Sequence, residues 1–119
     1  MAEHNDLGKQ GEELAIDHLL KSGFRIIERN YRFRKAEIDI IAQKEDLLIA
    51  VEVKTRSTAF FGDPYEFIKP AQKKLINHAI DDYVVRRDLD VQVRFDVISI
   101  VIENHKISLE HLEDAFFHF

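Results

Sequence analysis

A chain of 119 residues is long enough to bury one core without staples and short enough that residues 1–119 read as a single domain. The absence of cysteine excludes disulfides and thiolate zinc sites and makes a reducing cytoplasm the natural home. A formal charge of −5 argues against a protein that coats nucleic acid indiscriminately. No apolar run approaches the ~20 residues of a membrane-spanning helix, so no membrane partner is expected.

In chain order, Asn5 or Asp6 is placed to cap a first helix that runs to about Ser22, with Gly23 ending it. Leu7, Leu14, Ala15 and Leu19 form its apolar stripe. Glu12 lies on the margin of that stripe, and Glu13 is turned roughly 100° further away. Residues 24–30 read as a strand. Two further strand segments, 36–42 and 47–54, read as a hairpin with Gln43, Lys44, Glu45 and Asp46 as the polar connection. Residues 57–64 form a loop with Gly62-Asp63-Pro64 as its turn. A second helix is predicted over about 70–87, with Pro70 in its first turn and Leu75, Ile76, Ala79, Ile80 and Tyr83 as its buried face. Residues 91–102 are the most continuous apolar strand and belong inside the sheet. A short edge strand over 106–109 and a C-terminal turn ending in Phe116-Phe117-His118-Phe119 complete the chain.

Asp39 and the run Glu52-Val53-Lys54 stand out because they place two carboxylates and an ammonium in segments that otherwise read as buried strand. Charges there are costly unless something pairs with them. In the hairpin, Asp39 lies at the end away from the turn, beside Glu52 and Lys54, which share one face of their strand. Two carboxylates brought together repel unless a cation neutralises them, and hard oxygen ligands suit Mg²⁺ or Mn²⁺. An ammonium beside them can orient an attacking water and stabilise charge on a phosphate oxygen. The bland alternative is a solvated Glu-x-Lys pair on the open face of a sheet.

Basic charge is concentrated between Lys21 and Lys35, where Lys21, Arg25, Arg29, Arg32, Arg34 and Lys35 face one acid, Glu28. A local phosphate-facing patch is therefore compatible with the acidic total, as is a solvated basic loop. The six histidines, at 4, 18, 78, 105, 111 and 118, show no metal-ligand spacing and read as surface or core residues.

Asp39 followed after twelve residues by Glu52-Val53-Lys54 resembles the signature of the PD-(D/E)XK nuclease superfamily. Gly8-Lys9-Gln10-Gly11-Glu12-Glu13-Leu14-Ala15, Gly23-Phe24, Glu28-Arg29-Asn30-Tyr31-Arg32, Ala36-Glu37-Ile38-Asp39-Ile40-Ile41, Val51-Glu52-Val53-Lys54-Thr55-Arg56, Phe61-Gly62 and Arg94-Phe95-Asp96-Val97 together resemble the YraN family of small bacterial endonuclease-like proteins. The resemblance implies a restriction endonuclease-like three-layer α/β sandwich, with a mixed central sheet flanked by helices. It implies metal-dependent hydrolysis of nucleic-acid phosphodiesters, DNA more than RNA, with structure-selective cutting in repair or recombination. Asp39, Glu52 and the Val53 carbonyl would hold Mg²⁺ or Mn²⁺, Lys54 would act at the water, and Glu12 would support the site from the first helix.

Gln72 is the second helix's candidate for the site, because it shares the apolar face with Ile76 and Ala79. Arg29, Arg32, Arg34, Lys35 and Arg56 are the candidates for nucleic-acid contact. Glu12 as a helix-start acid, Arg56 as an exposed side chain and Asp96 as a strand-end ion pair stay open as structural readings. Also open are a homodimer and a catalytically weak or inactive module of the same fold that binds nucleic acid or another protein.

Overall fold

The computed structural model describes residues 2–58 and 69–115, the first four of these by backbone alone. Its elements are α1 (Ala2–Lys21), β1 (Arg25–Phe33), β2 (Ala36–Lys44), β3 (Leu47–Arg56), α2 (Pro70–Arg86), β4 (Gln92–Glu103) and β5 (Lys106–Leu112). The strands form one sheet in the order β1-β2-β3-β4-β5. All neighbours are antiparallel except β3 and β4, which are parallel and joined through α2. The sheet is thus mixed, and β4 lies inside it, as its apolar run requires.

The helices cover opposite faces. Ile76, Ala79, Ile80 and Tyr83 of α2 pack with Ile38, Ile41, Leu48, Ala50, Phe95 and Val97. Ala15, Ile16 and Leu19 of α1 pack with Ile40, Ala42, Ile49, Val51, Ile98 and Ile100. Period-two alternation along β3 and β4 sorts these residues between the two cores, giving the three-layer sandwich expected of the sequence.

Local expectations needed correction in five places. The first helix starts at Ala2, so Asn5 and Asp6 lie within it and do not cap it. Gln43 and Lys44 belong to the ladder, opposite Leu48 and Leu47, and only Glu45 and Asp46 make the turn. Leu75 is 37% exposed, on the rim of the face occupied by Ile76 and Ala79. The first strand continues to Phe33 and the last to Leu112. The Gly62-Asp63-Pro64 turn and the C-terminal Phe116–Phe119 turn lie outside the described residues. Gly23 ends α1 as expected: its φ of +94° suits glycine, and the Phe24 amide returns to the Leu19 carbonyl at 2.9 Å. Among the described residues, no helix is long and apolar enough to cross a membrane.

Candidate functional site

The sheet loses its regularity along one line that crosses β1, β2 and β3. Pairing between β2 and β3 runs from Lys44↔Leu47 to Ile40↔Val51 and stops there. In β2, Ile38 packs in the α2 core and Ile40 in the α1 core, although residues two apart in a regular strand share a face. Asp39 sits at this change of phase. Its Oδ2 accepts the Val53 N–H at 2.8 Å, so a side chain replaces the next rung of the ladder. Across β2, Asn30 has φ +53°, a left-handed conformation that asparagine tolerates better than most residues. This twist lets two consecutive residues reach one carboxylate: Arg29 Nη2 and Asn30 Nδ2 each donate to Glu12 Oε1 at 3.3 Å.

The opening brings together the residues singled out by sequence. Glu52 is 9% exposed, and its Oε2 is 3.2 Å from Lys54 Nζ. Gln72, at the start of α2, hydrogen-bonds the Glu52 side chain. Burial pushes the Asp39 carboxyl up to about 7, assisted by the charge of Glu52 and, less strongly, of Glu12 and Glu37, and opposed by the Val53 amide. Burial also raises Glu52, although Lys54 and Gln72 pull it down. The two carboxylates are an electrostatically strained pair. Asp39 borders two cavities: one of about 530 Å³ towards α1, lined also by Lys9, Glu12, Asn30, Val53, Lys54 and Thr55, and one of about 210 Å³ towards α2, lined also by Lys35, Glu37, Glu52 and Gln72. Among the described residues, no set of three or more His, Cys, Asp or Glu side chains converges as a metal cage.

Glu12 reaches the site because α1 passes very close to β3. A Cβ placed on buried Gly11 would lie 1.8 Å from Thr55 Oγ1 and 2.8 Å from both Thr55 Cβ and Cγ2, so no rotamer of Thr55 relieves the clash. At Gly8 nothing lies within 4 Å. Alanine improves a helix interior over glycine by about 1 kcal/mol, whereas overpacking costs about 1–3 kcal/mol. Gly8→Ala is therefore expected to raise the denaturation midpoint and Gly11→Ala to lower it. Equal shifts in urea melts would show that the close approach has no energetic weight.

The proposed phosphate-facing residues are placed unevenly. Arg32, Arg34 and Lys35 are exposed at the end of β1 and in the following turn, with Arg34 stacked 5.2 Å from the Phe33 ring and Lys35 beside the smaller cavity. Arg32 Nε is 3.8 Å from Glu37. Arg29 is held by Glu13 at 2.6 Å as well as by Glu12. Arg56 is half-buried, and its Nη2 donates to Ser99 Oγ at 3.1 Å, which turns it towards β4. Asn30 and Glu37 are the site neighbours that the sequence reading leaves out. An asparagine within a predicted strand was the available signal for the first, while Glu37 carried no signal distinguishing it from an ordinary exposed strand residue.

An α/β sandwich whose mixed sheet opens at a half-buried and a buried carboxylate, Asp39 and Glu52, defines the class. The chain belongs to Uncharacterised protein family UPF0102, whose family model matches residues 11–100, and this is the YraN family that its motifs resemble. It is similar to a UPF0102 protein of Flavobacterium psychrophilum, 55% identical over 119 residues that cover all of both chains. A UPF0102 protein of Christiangramia forsetii is 52% identical over the same extent. One from Bacteroides thetaiotaomicron is 43% identical over 98% of this chain and 97% of its own. Among solved structures, SfsA of Pyrococcus furiosus in complex with Ca²⁺ matches at 16% identity with a TM-score of 0.39, over 92% of this chain and 63% of that one.

Proposed function

We propose that the chain is a metal-dependent nuclease of the PD-(D/E)XK type that hydrolyses phosphodiester bonds in DNA, using Mg²⁺ or Mn²⁺. The observation that carries this reading is the pairing of half-buried Asp39 with buried Glu52, both raised in pKa, at a break in the sheet beside the Lys54 ammonium. The donor set fits a hard dication: two carboxylates and a carbonyl are oxygen ligands, and Mg²⁺ commonly takes only one or two protein carboxylates. Asp39, Glu52 and the Val53 carbonyl would hold it. When bound, such a cation neutralises the pair and polarises a phosphoryl oxygen.

The remaining chemistry belongs to side chains. Lys54 donates to the attacking water and to the phosphate oxygen on which charge develops. Gln72 fixes the Glu52 carboxylate through its hydrogen bond, so that Glu52 presents its other lone pairs to the opening. Glu12, steadied by Asn30 and Arg29, faces the larger cavity and can accept a proton from the water. The test is a hydrolysis assay with Mg²⁺ or Mn²⁺ on linear, single-stranded and branched substrates. Cutting that disappears in Asp39→Asn supports the reading; retained binding with no cutting of any substrate would leave a binding module in its place.

Affinity for DNA is expected to rest on Arg32, Arg34 and Lys35, with Arg29 contributing once it leaves Glu13. Each phosphate contact contributes about −0.9 to the slope of log affinity against log salt, so about three to five contacts should give a modest slope. Arg86 and Arg87 are engaged elsewhere: Arg86 pairs with Asp82, and Arg87 stacks 3.8 Å from the Tyr83 ring. Charge reversal at Arg32 and Arg34 should flatten the slope, whereas reversal at Arg86 should not. Filter-binding titrations at several salt concentrations would contradict the patch if the two changes acted alike.

A further inference from the structure

A second group of titratable side chains lies on the α1 face, apart from the carboxylate pair. Asp96 of β4 is fully buried. Arg94 donates to it from Nε and Nη2 at 2.9 Å each, and the Asp114 amide donates at 3.1 Å. His111 of β5 approaches it through Nε2 at 2.8 Å. Burial alone would raise the Asp96 carboxyl, but the hydrogen bonds from His111, Arg94 and the Asp114 amide more than offset this and hold it below the usual range. Asp96 is therefore an anion, and His111 must donate to it from Nε2. The other nitrogen of His111, Nδ1, is 2.9 Å from Nε2 of His18, near the C-terminal end of α1, with the rings 77° apart.

Two ring nitrogens in hydrogen-bond contact share a single proton, since one must donate and the other accept. Whichever ring carries it, a second proton between them would set two N–H groups against each other. We propose that His18 and His111 form a proton-sensitive clasp, backed by Asp96, that fastens the C-terminal end of α1 to β4 and β5 and is released when both facing nitrogens are protonated.

The surrounding charges do not cancel this behaviour. From α1, Asp17 favours a charged His18 but is itself bridged to Lys21 at 2.9 Å. Lys44, Glu45 and Asp46 of the β2–β3 hairpin border the same cavity of about 490 Å³ as both histidines. Arg94 and Asp96 face the pair from β4, and Glu113 and Asp114 follow β5, with Glu113 3.6 Å from Arg94. The balance lowers the pKa of His18, through burial first and His111 second. A histidine so lowered contributes its full stability above the unfolded value of 6.5 and loses it as pH falls towards the folded value. The clasp is closed at neutral pH and opens in mild acid. Because α1 also carries Gly11 and Glu12, about 9 Å earlier along the helix, the release reaches the element that lines the larger cavity.

The test combines an NMR titration of the imidazoles with amide hydrogen exchange on the whole chain. In the parent, His18 should titrate below the ordinary histidine value of 6.5. Protection of amides 15–21, corrected for intrinsic exchange, should fall by about tenfold between roughly pH 7.5 and 5.5, the scale of one lost hydrogen bond. His18→Gln can donate to His111 without titrating, so it should hold its neutral-pH protection in mild acid. Comparison of parent with variant removes the contributions of Asp39 and Glu52, which titrate in both. The proposal is overturned if His18 titrates at or above 6.5, or if His18→Gln loses protection as steeply as the parent. Should the variant not fold, the titration of the parent decides alone.

Discussion

Lys54→Ala is expected to lower phosphodiester hydrolysis by about 10²-fold or more while leaving divalent-cation affinity unchanged or slightly higher. The two effects diverge because the ammonium plays opposite parts. Its Nζ, 3.2 Å from Glu52 Oε2, competes with a cation for that carboxylate in the resting protein. In the transition state it meets negative charge growing on the phosphate, where a donor in a partly dry site is worth several times its value in water. Loss of the ion pair should also destabilise the metal-free protein, since the Glu52 side chain is only 12% exposed and Lys54 opposes the burial that disfavours its charge. Melting curves, calorimetric titration with Mn²⁺ and single-turnover rates separate these quantities. A variant that cut at the parental rate would reduce Lys54 to a salt-bridge partner and remove the three-part site.

The parts of this arrangement that follow a period were legible in the sequence. Ile49 and Val51 against Leu48 and Ala50 sort to the α1 and α2 cores by simple alternation, and Ala15 and Leu19 share a helix face because they are four residues apart. The same alternation set Glu52 and Lys54 together. What could not be read is where the periods fail. The change of phase at Asp39, the left-handed turn of Asn30 and the end of the β2–β3 ladder are one feature, produced by three strands acting on each other. Long-range pairs were equally hidden: His18 and His111 lie 93 positions apart, and nothing local to either marks the other. The start of α1 is hidden for a related reason. A good capping residue permits a helix to begin but does not oblige it to, and the helix runs back past Asn5 to Ala2. Leu75 illustrates the limit of the helical stripe, where a rim position and the core position after it, Ile76, differ by about 100° around the helix axis.

Neutralising both acids, with Asp39→Asn and Glu52→Gln together, should abolish the response to divalent metal and at the same time stabilise the metal-free fold above neutral pH. The carboxyl of Asp39 is raised from 3.8 to about 7 in the folded chain. The folded state therefore holds its proton more tightly than the unfolded one, and the stability this confers is complete below pH 3.8 and lost as pH rises through about 7. Glu52 is displaced in the same direction. A tenfold difference in proton affinity between the folded and unfolded chains corresponds to about 1.4 kcal/mol, and with sharing and relaxation between the two groups the net gain at pH 8 should be roughly 1–3 kcal/mol. The isosteres preserve the local bonds, since the amide carbonyl of an asparagine at position 39 can still accept the Val53 N–H and a glutamine at position 52 can still meet Gln72. In the parent, added Mg²⁺ should restore the lost stability by mass action, about 1.4 kcal/mol for each tenfold excess over its dissociation constant. Thermal melts at pH 5 and pH 8, with and without Mg²⁺, give four readings for each protein. A double variant less stable than the metal-free parent at pH 8 would identify Glu52 and Lys54 as a structural ion pair, because a strained site gains from losing its charges and a structural one does not.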